Sequence, residues 1–84
     1  MTTATIKAEN GLHARPASMI VNEANKFESD IFIEVDGNKY NCKSIISVMS
    51  SKLSCGDEVT INAVGNDSSV AESKILELLN SITE

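Results

Sequence analysis

The chain has 84 residues, 42% hydrophobic and 23% charged, with twelve acids against seven bases and a formal net charge of -5. That length makes a single domain, and a chain so short buries only about 60–65% of the surface it exposes unfolded, which leaves little room for a deep catalytic cavity. The acidic balance and the scatter of six Lys exclude the basic stripe of a nucleic-acid binder and the polybasic patch of a membrane-surface protein.

The elements follow from periodicity. Ala4, Ile6 and Ala8 alternate with Thr5 and Lys7, which predicts a first strand. Ala17, Ile20, Val21 and Ala24 then recur at helical spacing, so a helix begins just after His13. Ile31, Ile33 and Val35 alternate with Phe32 and Glu34 as a second strand. Asp36-Gly37 signals a type I′ hairpin leading to a short strand around Lys39–Cys42. Ser44 is placed to cap a short helix whose core stripe is Ile45, Val48 and Met49, with Ile46 pointing off it. Val59, Ile61 and Ala63 make a fourth strand. Ala71, Ile75, Leu78, Leu79 and Ile82 form the clearest helical stripe, started by Asp67, Ser68 or Ser69, with Ser69 and Glu72 fitting a capping box. The order β-α-β-β-α-β-α predicts an α+β open-faced sandwich: a four-stranded antiparallel sheet with three helices on one face.

Several functions find no residues to carry them. The start, Met1 to Lys7, lacks a signal peptide's apolar run, and no segment reaches membrane-spanning length, so the expected location is cytoplasmic without membrane insertion. Cys42 and Cys55 form no C-x-x-C and read as reduced thiols. With one His and no acidic cluster at ligand spacing, no metal site is expected. The four glycines are isolated and no nucleotide loop can be written, so no cofactor is expected either.

One run stands apart. The only His, Arg and Pro of the chain lie together in Asn10-Gly11-Leu12-His13-Ala14-Arg15-Pro16-Ala17. Pro16 suits a first helical turn, where its missing N–H has no partner to lose. Gly11 lets the chain turn sharply off the first strand. His13 then falls at the helix mouth, among backbone N–H groups and the positive end of the macrodipole, where an anion on the ring finds donors. Arg15 adds a planar cationic fork for phosphate oxygens. On physical grounds alone this arrangement is equally a polar helix start with a solvated Arg, or a site that accepts a phosphoryl group.

The run Gly11-Leu12-His13-Ala14-Arg15-Pro16-Ala17 resembles the active-site signature of HPr, the histidine-containing phosphocarrier of the sugar phosphotransferase system. A second stretch, Lys43-Ser44-Ile45-Ile46-Ser47-Val48-Met49-Ser50, resembles the family's regulatory-serine segment, 31 residues after the histidine. The resemblance covers essentially the whole chain. It implies that His13 takes a phosphoryl group on Nδ1 from phosphorylated enzyme I and passes it to IIA domains of sugar permeases. Arg15 would stabilise the transferred charge, Pro16 would fix the helix start, and Asn10 would occupy a nearby loop position. It further implies that an HPr kinase/phosphorylase modifies Ser44, with a catabolite-control regulator as a further partner, and that Ile45, Ile46 and Met49 belong to a docking surface. A monomer is the expectation for such a shuttle, and the carrier is itself no enzyme. The departure is Ser51-Lys52, where the family commonly has Leu-Gly; this puts the exit geometry of the second helix in question. The competing function is a regulatory binding module controlled by Ser44 phosphorylation, which could dispense with His13.

Overall fold

The structure, a computed structural model, describes residues 1–83. Its elements are β1 (Thr2–Thr5), α1 (Ala14–Ala24), β2 (Asp30–Val35), β3 (Asn38–Asn41), α2 (Ile45–Ser50), β4 (Glu58–Val64) and α3 (Ser68–Ser81). The four strands form one sheet in the order β1-β4-β2-β3, and every neighbouring pair is antiparallel. Register places Ile31 opposite Ala63, Ile33 opposite Ile61 and Ala4 opposite Val59, so the apolar residues of three strands share one face. Ile20, Ala24, Val48, Ala71, Ile75 and Leu79 of the three helices close over that face in a single core. This is the expected open-faced α+β sandwich.

The hairpin between β2 and β3 turns at Asp36 and Gly37, both with positive φ (51° and 80°), as a type I′ turn demands. The first strand is shorter than its alternation suggests. Ladder pairing stops at Thr5, yet Ile6 and Ala8 stay buried, and Ile6 N–H still donates to Asp57 O at 2.9 Å. Likewise β3 ends at Asn41, and Cys42 lies just beyond it, fully buried.

Two expectations need correction. In α2 only Val48 is buried; Ile45 is 38% exposed and Met49 42%, so neither belongs to the core. A helix of six residues has room for one inward position, and Val48 takes it. The capping box of α3 is also absent. Asp67 holds the N-cap position but makes no capping bond. Its carboxylate instead accepts the N–H groups of Glu28 (3.0 Å) and Ser29 (2.9 Å) and the Ser29 hydroxyl, which tie the α1–β2 loop to the β4–α3 loop. The Ser29 hydroxyl and the Glu28 N–H hold the Asp67 carboxyl below its ordinary pKa.

Glu72 does not reach back to Ser69. Its carboxylate accepts from Ala63 N (3.0 Å) and the Thr2 hydroxyl (2.8 Å), and lies 3.1 Å from the Met1 amine. Burial pushes its pKa upward, but the Ala63 and Thr2 bonds, with the Met1 ammonium, outweigh that and hold it below its ordinary value. A single side chain of α3 thus fastens the start of β1 to the far end of β4.

Candidate functional site

His13 occupies the N-cap of α1 with extended backbone angles (φ -80°, ψ -169°). Its carbonyl accepts the Ala17 N–H at 2.9 Å and closes the first turn, while its ring makes no capping bond and lies exposed. Ala14, Arg15 and Pro16 are the first three helical residues. Pro16 takes the third, where a helix offers an N–H no acceptor, and its ring is fully buried. The same residue therefore starts α1 and pins that start to the core. Arg15 is exposed, two residues beyond the imidazole.

The loop before His13 is fastened from two sides. Glu9 N–H donates to Thr83 O at 3.0 Å, and Leu12 N–H donates to Leu53 O at 3.1 Å. Gly11 has φ +73°, and a Cβ there would collide with the Leu53 carbonyl oxygen. Glycine is thus required twice, by backbone conformation and by the close approach of another backbone. Leu12 and Leu53 are both buried, so apolar contact backs the hydrogen bond. Asn10 lies exposed in the turn ahead of Gly11.

At the second segment, Ser44 is the N-cap of α2, and its hydroxyl accepts the Ser47 N–H at 3.3 Å. Lys43 beside it sends its ammonium to Phe27 O at 2.7 Å, which braces α2 against the end of α1. Ile46 is 78% exposed and stands with Ile45 and Met49 on the open side of α2; Met19 of α1, the helix packed against it, is also exposed. Four large apolar side chains thus project from two adjoining helices. Ser44 caps one end of α2, and the opposite end runs through Ser51 and Lys52 to Leu53, the anchor of the His13 loop.

The usual glycine at the exit of α2 has a counterpart in backbone shape. Lys52 has φ +53°, so the left-handed turn is kept by a residue that carries a side chain. Cys42 is buried, which pushes its thiol up to about 12, and Cys55 is exposed in the turn before β4. Among the described residues no His, Cys, Asp and Glu group could hold a metal ion, and no helix is long and apolar enough to cross a membrane.

The family model described as the phosphorylation site of the PTS HPr component matches residues 1–81. The chain belongs to the HPr family. These proteins are phosphocarriers of the phosphotransferase system, and the fold is that of the family. The phosphocarrier protein HPr of Borreliella burgdorferi is 43% identical over 81 residues, 96% of this chain and 94% of its own. The HPr-like protein Crh of Bacillus subtilis is 49% identical over 70 residues, 83% of this chain and 82% of its own. A crystal structure of that Crh, matched at a TM-score of 0.80 and 45% identity over 89% and 86% of the two chains, is a domain-swapped dimer. A crystal structure of HPr from Thermoanaerobacter tengcongensis superposes with a TM-score of 0.91 at 41% identity, covering 98% of this chain and 92% of that one.

The structure brings Asn10, Gly11, His13, Arg15 and Pro16 to one end of α1 and leaves Ser44, Ile45, Ile46 and Met49 on α2. Sequence reasoning missed the Leu53 carbonyl, because a backbone acceptor leaves no mark in side-chain pattern. The only hint was a Leu immediately after the anomalous Ser51-Lys52 pair.

Proposed function

We propose that the chain carries phosphoryl groups on His13, accepting them from phosphorylated enzyme I and delivering them to IIA domains of sugar permeases. The supporting observation is the exposed imidazole at an N-cap whose side chain does no capping, with Arg15 two residues on. Nδ1 of the neutral ring attacks phosphorus, and the new P–N bond forms as the bond to the donor breaks. The reverse displacement by the acceptor's nucleophile frees the ring again. Three equatorial oxygens carry the charge throughout; the α1 N-terminus and the Arg15 guanidinium supply the positive field. A shallow site suits a group that must leave as readily as it arrives.

Ile45, Ile46 and Met49, joined by Met19, form the surface on which successive partners dock; methionine repacks easily and so fits several partners in turn. Every residue named lies on one chain, so a monomer is sufficient for the shuttle, with a cytoplasmic location. Sedimentation equilibrium distinguishes that monomer from a swapped dimer. The central test is incubation with phosphoenolpyruvate and enzyme I, which should place an acid-labile, base-stable phosphate on the wild-type chain and none on His13→Ala. Equal labelling of the two overturns the carrier mechanism.

A second reading rests on the Ser44 cap. A phosphate on that hydroxyl would add up to about two negative charges at the N-terminus of α2, where the helix field accepts them. A kinase acting there, with a catabolite-control regulator as reader, would make the chain a regulatory module as well as a carrier. An ATP-dependent, acid-stable phosphate that persists in Ser44→Ala rules this out.

A further inference from the structure

The His13 loop rests on the exit of α2. Leu12 N–H donates to Leu53 O, and Gly11 lies so close to that carbonyl that no Cβ fits between them. Where the carbonyl stands is decided one residue earlier, at Lys52, whose φ of +53° turns the chain out of α2. Lys52 N–H still bonds to Met49 O at 3.3 Å and Ser51 N–H to Val48 O at 3.2 Å, so the turn is continuous with the helix that bears Ile46 and Met49. On its far side the segment is equally fixed: Ser54 N–H donates to the Asp57 carboxylate at 2.8 Å, and Asp57 N–H returns to Ser54 O at 3.0 Å. Leu53 is thus a short bridge with both ends held, and its carbonyl oxygen is the polar contact it offers to the loop.

From this geometry we infer that Lys52 and Leu53 are positioning residues for His13, the left-handed turn at Lys52 setting the Leu53 carbonyl that orients the Gly11–His13 loop. The inference rests on His13 being the phosphoryl acceptor and names what holds it in place. Positioning matters because phosphoryl transfer depends on in-line approach, and small misplacements of a reacting group slow it steeply.

The experiment compares Lys52→Gly with Lys52→Val. Both remove the same charge from the same place, but glycine adopts a left-handed conformation freely and a β-branched residue resists it. Two readouts are taken at a temperature where circular dichroism shows both variants folded: hydrogen exchange of the Leu12 amide, and the maximal rate and KM of His13 phosphorylation by enzyme I. Lys52→Gly should keep Leu12 protection and the wild-type maximal rate. Lys52→Val should lose most of that protection and roughly tenfold in maximal rate, with the KM of the two variants alike. Equal Leu12 protection in the two variants overturns the inference, and so do equal maximal rates. Exchange is read without phosphate, so a wild-type chain that takes no label overturns the carrier reading while Leu12 still decides this one.

Discussion

The starts of α1 and α2 solve the same problem in opposite ways. Both leave backbone N–H groups without partners inside the helix. At α2 a serine hydroxyl closes the end by accepting Ser47 N–H, and the capping residue is half-buried. At α1 the N-cap is a histidine whose ring does no capping and whose third helical residue is a proline that has no N–H to satisfy. The α2 end is finished by its own side chain, whereas the α1 end leaves an exposed imidazole that does no capping. An imidazole that is not spent on capping is left accessible, which is what the proposed carrier role asks of the α1 end.

That contrast can be broken by substitution. Arg15→Ala should lower the rate of His13 phosphorylation by about 10²-fold, since it removes the cation that faces the transferred charge. Rapid-quench measurement of acid-labile phosphate decides this, and an unchanged rate would show that the helix end alone suffices. Gly11→Ala should destabilise the protein by about 2 kcal/mol in urea unfolding, because a side chain there meets both a left-handed φ and the Leu53 carbonyl.

Ser44→Ala should cost about 1 kcal/mol of stability as the cap is lost, with no change in the maximal rate at His13. Ser44→Asp should keep the cap and raise the KM for enzyme I instead, through the added charge on the docking side. If Ser44→Ala alters the His13 rate as strongly as its stability, the two helix ends are not separate in function. The smallest effect is that of pH. The Glu72 carboxyl titrates below its ordinary value of 4.5 in the folded chain, so its stabilising bonds are fully present above that pH. They are lost as pH falls further and the carboxylate is protonated. Acid unfolding followed by circular dichroism should therefore show a later onset in Glu72→Gln, measured relative to each protein's own stability at neutral pH.

Much of this was legible beforehand, and the reason is that local rules and tertiary packing agree. Ile31, Ile33 and Val35 alternate because one face of β2 is buried, and Asp36-Gly37 turns with two positive φ angles because those residues tolerate them. The His13 run was equally readable, since Pro16 and Gly11 each have a narrow conformational use. What escaped was long-range or carried by backbone. Glu72 has an ideal spacing from Ser69, yet its partners are Ala63, Thr2 and Met1, the last two about seventy residues away. Ile45 and Met49 fit a helical stripe, but a helix of six residues meets the core through Val48 alone. The lysine at position 52 does not by itself announce a left-handed turn; only the family's usual glycine at that place points to one.

The position of Glu72 has a consequence for the edge of the sheet. Pairing between β1 and β4 ends at Thr2 and Ile61, so β4 runs on past its neighbour toward Val64. A strand that outruns its partner offers vacant main-chain donors to any extended peptide, including the same strand of another copy. Here Ala63 N–H is already taken by a carboxylate, and a peptide laid along that margin would bring its own carbonyl oxygen against a negative charge. One acid on a helix thereby makes a truncated edge unattractive to strangers without lengthening the strand beside it.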